Sequence, residues 1–240
     1  MKLKLALFLF VAVFSSTASA QTVRVTGKKV TYTRRKPQMD FKKTFTINYP
    51  KVRASSPGLS QKIERAASYE SVLGLNLKEE LGEYQWLEEA DYEVKYNKNG
   101  LLCLSLWMEG SAAYPSSTTK VVVVDTRTGV KVRPTDVFTN LAGLAAMVRR
   151  DQLKEIKESI AEIKKEEPDE SDPASLFTDS NFKPKDIEGF EVGDKWVTFH
   201  YNYGFPHVIM ALEPSGDFTY TWAQMRPYLK KGGLLSRIAR

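Results

Sequence analysis

Cysteine and histidine are scarce in this 240-residue sequence, which contains one cysteine and two histidines. The single cysteine, Cys103, excludes a disulfide bond within the chain. Its neighbours in the stretch LLCLSLWM are largely apolar. We expect a buried, unreactive thiol there, because a reactive thiolate needs an electropositive and partly exposed setting.

Recognisable catalytic motifs are also missing. The sequence has no H-E-x-x-H or G-x-S-x-G motif, no cysteine and histidine cluster with zinc spacing, and no glycine-rich phosphate loop. The acidic run EEPDESDP lacks the ligand order of a calcium loop, so we interpret it as a solvated linker. We therefore expect no catalytic residue, no metal and no cofactor, and we interpret the protein as a non-enzyme.

Neither sign of charge dominates. The chain has 35 Lys and Arg against 29 Asp and Glu, a net charge of +6, which becomes +4 without the two lysines of the first 20 residues. We interpret this modest excess as solvated surface charge, with attraction to anionic envelope polymers as the alternative. No nucleic-acid motif is present, so no nucleic-acid partner is expected. Basic residues gather towards both ends: Lys28, Lys29, Arg34, Arg35, Lys36, Lys230, Lys231, Arg237 and Arg240.

The apolar run LALFLFVAVF lies close to the N-terminus and is shorter than the roughly 20 residues that a membrane span requires. Lys2 and Lys4 precede it and the small residues SSTASA follow it, which is the pattern of a secretory signal peptide. Ala18 and Ala20 fit the cleavage pattern, so we predict a cut after Ala20. The mature protein is expected in the periplasm or outside the cell, without a membrane span.

Alternation of polar with β-branched or aromatic residues predicts strands. The strongest signal runs from ADYEVKYN through the turn NKNG to LLCLSLWMEG, and from TKVVVVD through DTRTG to VKV. Asn99-Gly100 predicts a tight hairpin, because both residues tolerate a left-handed backbone. The run from Val121 to Val124 is apolar on both faces, which indicates a strand in the middle of a sheet.

Helical periodicity predicts helices between these strands. Ser60 is predicted to cap a first helix, Asn76 a second one, and Asn140 a long helix that reaches about Lys165. Strands return beyond Phe177, in KDIEGFEVG, KWVTFHYNY and HVIMALEPSGDFTYTW, and WAQMRPYL forms a short final helix. The order of elements indicates an α+β fold in which helices pack on antiparallel β meanders.

Both histidines lie in the aromatic stretch HYNYGFPHVIM, from His200 to Met210. On a strand, its tyrosines face one side and His200 the other, and Pro206 introduces a bend or an edge. Three interpretations stay open: core packing around Trp222 and Tyr228, a recognition surface, or a catalytic site. A recognition surface uses rigid aromatic side chains with polar groups. Its candidate ligand-binding residues are Tyr201, Tyr203, Phe205, Pro206, His207, Tyr114 and Pro115.

The segment VKYNKNGLLCLSLWMEGSAAYPSSTTKVVVVDTRTGVKVRPTDVF resembles the paired DUF4163- and DUF3298-like extracytoplasmic domains, as does FHYNYGFPHVIMALEPSGDFTYTWAQMRPYL. These domains occur in lysozyme-sensing anti-sigma factors and beside the catalytic domain of some peptidoglycan deacetylases. The similarity covers roughly residues 40–229. The residues that match the family's D-x-x-T-G strand end and the following turn are Asp125, Thr128, Gly129, Asp136 and Phe138.

One loop departs from the family pattern. A glycine-alanine-histidine loop of the family reads Ser111-Ala112-Ala113 here, so a function that depends on that histidine is not implied. The anti-sigma relatives also carry a transmembrane helix and a sigma-binding segment, and we expect neither in this chain. The resemblance implies a non-catalytic domain that binds a lysozyme-like protein or cell-wall glycan (peptidoglycan). The alternative is an envelope glycan hydrolase or deacetylase-type enzyme that uses His200 or His207.

The predicted organisation has four parts. A signal peptide occupies 1–20, an N-terminal half 21–110, a C-terminal half with the long helix and closing strands 111–229, and a basic tail 230–240. Removal of the signal peptide leaves enough chain for one large domain or two small ones. We favour one continuous architecture, because the meander from Ala90 to Val132 can act as a shared sheet.

Overall fold

The structure, a computed structural model, describes residues 22–38, 41–82, 84–111, 114–166 and 172–239. The predicted signal peptide, its cleavage site after Ala20 and the position of Ala113 lie outside these residues. In the described ranges, no helix combines the length and the apolar character needed to cross a membrane.

A six-stranded sheet forms the centre of the molecule, with its strands in chain order. The strands are β1 (Arg24–Thr33), β2 (Thr44–Arg53), β3 (Leu87–Lys98), β4 (Leu101–Ser111), β5 (Pro115–Asp125) and β6 (Val130–Lys131). The predicted antiparallel meander from β3 to β6 is confirmed. Strands β2 and β3 run parallel, which differs from the predicted antiparallel arrangement. A parallel pair requires a crossover connection, and the first helices of the chain supply it.

The crossover consists of α1 (Pro57–Ala66), α2 (Tyr69–Leu73) and α3 (Leu77–Leu81). The predicted cap of α3 is confirmed, since the Asn76 side chain accepts a hydrogen bond from the Glu79 amide. The predicted cap at Ser60 is wrong. Ser56 caps α1 instead, because Pro57 fits the first helical turn and starts the helix earlier.

The remaining elements form a second layer on the opposite face of the central sheet. They are α4 (Pro134–Val137), α5 (Leu141–Glu166), β7 (Phe190–Val192), β8 (Trp196–His200), β9 (Asp217–Thr221) and α6 (Trp222–Met225). Strands β7, β8 and β9 make a three-stranded antiparallel sheet. The predicted α+β fold is therefore confirmed, as is the long helix that follows Asn140, whose side chain accepts a hydrogen bond from the Gly143 amide.

Strands β4 and β5 carry apolar side chains on both faces because each face meets a separate core. Leu102 and Leu104 pack with the crossover helices, whereas Leu101 and Cys103 pack with the second layer. The valines of β5 alternate between the same two cores, which confirms the prediction for Val121 to Val124. Cys103 is fully buried, and burial raises the pKa of its thiol to about 12.

Both predicted hairpin turns are confirmed. Asn99 and Gly100 have φ angles of 55° and 79°, the left-handed backbone that the tight turn requires. In the turn DTRTG, the Asp125 carboxylate accepts hydrogen bonds from the Arg127 amide and the Thr128 hydroxyl. Turns with these residues are recognisable in a sequence because side chain and backbone interact locally.

Each of the three predicted C-terminal strands is only partly confirmed. The segments Pro184–Gly189 and His207–Leu212 form 3-10 helices, and only Phe190–Val192 of the stretch KDIEGFEVG is a strand. Strand β8 ends at His200, and Gly204 then takes a positive φ of 71°. Pro206 has no amide proton to donate to a neighbouring strand. The segment therefore does not pair as a strand, although its residue types alternate.

Candidate functional site

The stretch after β8 is attached to the second half of α5 by aromatic side chains. Phe205 is buried in a small cluster with Phe177, Ile156 and Ile163. Tyr203 packs against this cluster and its ring makes an edge contact with Phe177 at 5.5 Å. The predicted core packing near Trp222 is found for Tyr201, which packs against the core of the second layer, whereas Phe205 packs on α5.

Polar contacts hold the same stretch in place. The Tyr203 hydroxyl donates a hydrogen bond of 2.7 Å to Glu155 Oε2. The second carboxylate oxygen of Glu155 accepts hydrogen bonds from the Ser215 hydroxyl and the Gly216 amide. Burial, followed by the neighbouring Glu155 carboxylate, raises the pKa of Tyr203 above its usual range. Tyr203 therefore stays neutral and donates a hydrogen bond to the Glu155 carboxylate of α5.

Tyr201 is also used internally. Its hydroxyl accepts a 3.0 Å hydrogen bond from the Asn181 amide, and its ring contacts Phe182 and Tyr203. The predicted site residues therefore divide into two groups. Tyr201, Tyr203 and Phe205 anchor the segment, whereas Tyr114, Pro115, Pro206 and His207 are exposed.

The exposed group forms one surface from two distant parts of the chain. The His207 and Tyr114 rings stack with their centroids 5.0 Å apart and an angle of 28° between the planes. Tyr114 is 62% exposed, and Val208 and Met210, which follow His207 in the chain, are 85% and 48% exposed. We call this set of residues the aromatic surface: Tyr114, Pro115, Pro206, His207, Val208 and Met210.

The sequence identified most of this surface. It associated Tyr114 and Pro115 with the C-terminal aromatic stretch, and the ring contact between Tyr114 and His207 agrees with that association. It missed Val208 and Met210, because an apolar residue in a predicted strand is ordinarily assigned to the core. The segment His207–Leu212 is instead a 3-10 helix, in which Val208 is exposed.

An open strand edge begins next to Tyr114. Thr126 N donates to Gly100 O, and Val132 N donates to Val123 O. Backbone N–H and C=O groups alternate in direction along an antiparallel strand. Since the Thr126 amide faces β4 and the Val123 carbonyl faces β6, the backbone groups of the odd-numbered residues of β5 point away from β4. Strand β6 pairs only with Val124 and Asp125. In the described chain, no strand pairs with the outward backbone groups of Ser117 and Thr119.

His200 lies outside the aromatic surface, between two carboxylates. Its Nδ1 is 2.7 Å from Asp217 Oδ1 and its Nε2 is 3.7 Å from Glu191 Oε2. Burial lowers the pKa of His200, but the contacts with Asp217 and Glu191 outweigh burial and raise the pKa to about 9. The imidazole is consequently protonated at neutral pH, so it can donate a proton but has no free nitrogen to accept one.

Two surface cavities occur elsewhere. One of about 420 Å³ lies at the ends of β1 and β2, and one of about 170 Å³ lies between α5 and residues 211–214. Neither of these two cavities is lined by a histidine. Within the part of the chain that the structure describes, no group of three or more His, Cys, Asp or Glu side chains is arranged to hold a metal ion.

The fold and the surface define an α+β protein with a central sheet covered on both faces and an exposed aromatic surface at one end. Its fold is similar to that of a DUF3298 family member from Bacteroides fragilis, with 15% sequence identity, 91% of this chain and 98% of that chain covered, and a TM-score of 0.55. This likeness agrees with the DUF3298-like resemblance of the sequence at the level of fold.

A second similar structure is a DUF3298 family protein from Pseudomonas aeruginosa. It shares 12% identity, covers 88% of this chain and 94% of its own chain, and has a TM-score of 0.45. No protein-family profile matches the sequence. No curated protein matches it either.

Proposed function

We propose that this protein is an exported, non-catalytic binding domain that recognises a lysozyme-like protein or cell-wall glycan through the aromatic surface. The observation that carries the proposal is the contact between Tyr114 and His207, which joins two exposed segments into one surface. Exposed aromatic and apolar side chains on a rigid support are typical of recognition sites, because they contribute contact area at a low cost in conformational entropy.

Both parts of this surface are held by contacts with the rest of the fold. Pro115 opens β5, which pairs with β4 along its length. His207 follows the segment that Phe205 and Tyr203 fasten to α5. A preformed surface of this kind loses little entropy when it binds a partner.

A protein partner fits the surface better than a glycan. Tyr114 and His207 already stack on each other, so each ring has one face occupied. The aliphatic side chains of Val208 and Met210 suit apolar protein contacts, and the open edge of β5 offers backbone groups to an added strand. The predicted export signal and the resemblance to the extracytoplasmic domains of lysozyme-sensing anti-sigma factors favour a lysozyme-like protein.

A binding titration tests the proposal. Purified protein is titrated by calorimetry with lysozyme and, separately, with soluble peptidoglycan fragments, at low and at moderate salt. The double variant Y114A/V208S removes a tyrosine and a valine from the aromatic surface. The matched control is Y84A/V130S, because Tyr84 and Val130 are 69% and 61% exposed outside that surface.

We expect binding to lysozyme that Y114A/V208S weakens by about tenfold or more, the range of a central interface residue. The control variant should bind as the wild type does. Absence of binding to both ligands at both salt concentrations would contradict the proposal, and so would an equal loss in the two variants. Binding to the peptidoglycan fragments alone, weakened in Y114A/V208S, would keep the aromatic surface as the binding site. The partner would then be a glycan and not a protein.

The second candidate is an envelope glycan hydrolase or deacetylase-type enzyme that uses His200 or His207. The observation in its favour is the pair of carboxylates beside His200. A protonated histidine held by Asp217 and Glu191 has the charge of a general acid. Turnover of peptidoglycan that disappears in H200A, with retained folding, would support this candidate. Unchanged turnover in both H200A and H207A would remove it.

A further inference from the structure

The cavity at the ends of β1 and β2 is lined mainly by basic side chains. Its lining residues are Arg24, Thr26, Lys51, Val52 and Arg53, and its volume is about 420 Å³. Arg24 lies directly opposite Arg53 in the antiparallel register, and Thr26 lies opposite Lys51. Like charges in such cross-strand positions destabilise a sheet, so this arrangement has a cost for folding.

Of the three basic side chains in this lining, only Lys51 pairs with an acidic side chain. Lys51 Nζ donates to Glu64 Oε2 at 2.9 Å, and the other oxygen of Glu64 accepts from the Val52 amide. No carboxylate of the described residues forms an ion pair with Arg24 or Arg53. Both guanidinium groups are therefore available to an external anion.

We propose that this cavity binds a phosphate group, held between the guanidinium groups of Arg24 and Arg53 with Lys51 at its side. Guanidinium groups match the oxygens of phosphate with paired, charge-assisted hydrogen bonds. A bound phosphate also removes the repulsion between the two arginines. Glu64 keeps Lys51 in position, and its single negative charge leaves the lining with an excess of positive charge.

The phosphate site is separate from the aromatic surface. Strand β2 runs parallel to β3, and the Val23 amide near Arg24 donates to the Asn97 side chain at the end of β3. Pro115, next to Tyr114, pairs with Ser111 at the opposite end of the meander. The two sites lie at opposite ends of the central sheet, so each can be removed without the other.

Calorimetric titration with inorganic phosphate and with pyrophosphate, at low ionic strength, tests the proposal. A parallel sedimentation assay uses phosphatidylcholine vesicles with and without phosphatidylglycerol, and distinguishes a lipid phosphate from a soluble one. The variant R24Q/R53Q removes both guanidinium groups. The control R150Q/R226Q removes the same charge from two exposed positions outside the cavity.

We expect pyrophosphate or the phosphatidylglycerol vesicles to bind, with a loss of about tenfold or more in R24Q/R53Q, as for the loss of charge-assisted hydrogen bonds. The control and Y114A/V208S should bind as the wild type does. Failure of every phosphate probe to bind would overturn the proposal, and an equal loss in R24Q/R53Q and R150Q/R226Q would also overturn it, since the attraction would then depend on net charge alone.

Discussion

The buried Arg34 guanidinium contacts several separate parts of the chain. Its guanidinium donates to the carbonyl oxygens of Glu80, Lys42 and Leu87 and forms an ion pair with the Glu80 carboxylate. It also lies 4.7 Å from the centre of the Phe45 ring. The sequence placed Arg34 among the exposed basic residues near the N-terminus, since nothing local reveals that α3 and β3 supply its acceptors.

Replacement of Arg34 tests this network. The variant R34M leaves the Glu80 carboxylate buried without its cation, and we expect the free energy of unfolding to fall by about 3 kcal/mol or more. The neighbouring variant R35M changes an exposed arginine and should stay within about 0.5 kcal/mol of the wild type. Urea unfolding measures both. Similar stabilities of the two variants would contradict the structural role of Arg34.

The raised pKa of His200 predicts that the free energy of unfolding depends on pH. Its folded pKa of about 9 exceeds the ordinary value of 6.5, so the folded state binds the proton more tightly than the unfolded chain does. The contribution is complete below pH 6.5 and disappears as the pH rises through about 9. Because the side chain is partly exposed, we expect His200 to contribute only about 1 to 2 kcal/mol to the free energy of unfolding. Urea unfolding at several pH values should show this loss in the wild type, and H200Q should lack it.

The pairing of His200 also marks a limit of sequence analysis. The period of a strand placed His200 opposite the tyrosines, and the structure agrees for Phe199, which packs in the core while His200 contacts Asp217. The partners Glu191 and Asp217 belong to neighbouring strands. Their contact depends on the register between strands, which no local pattern specifies.

At the scale of elements, local chemistry was predictable and non-local pairing was not. The turns at Asn99-Gly100 and Asp125 to Gly129 and the cap at Asn76 follow from interactions within a few residues. The parallel pairing of β2 with β3 depends on where three short helices return the chain. The segment His207–Leu212 looked like a strand because its apolar residues were assumed to be buried.

Phe205 and Tyr203, which attach the segment before His207 to α5, are expected to contribute unequally to stability. The variant F205A removes a buried ring from the cluster on α5, and we expect a loss of about 3 kcal/mol in the free energy of unfolding. The variant Y203F removes only the hydrogen bond to Glu155 and should cost about 1 kcal/mol. Denaturant unfolding measures both variants. A smaller effect of F205A than of Y203F would contradict the assignment of Phe205 as the anchor.

At the scale of the whole molecule, the sequence predicted one continuous architecture, and β4 and β5 give a physical reason to keep that prediction. Both strands contribute side chains to the core under the crossover helices and to the core of the second layer. Loss of either layer would expose one apolar face of these strands to water. We therefore expect the two layers to unfold together.

Tryptophan fluorescence can report on each layer. Trp86 packs against the core with the crossover helices, and Trp222 is buried in the core of the second layer. In a variant whose only tryptophan is Trp86 or Trp222, the fluorescence midpoint in urea should coincide with the midpoint of circular dichroism measured on the same variant. Two separate midpoints within one variant would show that the halves are independent domains.

Hydrogen exchange of the protein with and without lysozyme tests most directly whether a partner binds at the aromatic surface. A partner on the aromatic surface should slow exchange in two segments, residues 114–120 and 206–212, with little change at the opposite end of the sheet around Arg24 and Arg53. Unchanged exchange throughout, or protection confined to other segments, would contradict the claim that Tyr114 and His207 form a recognition surface.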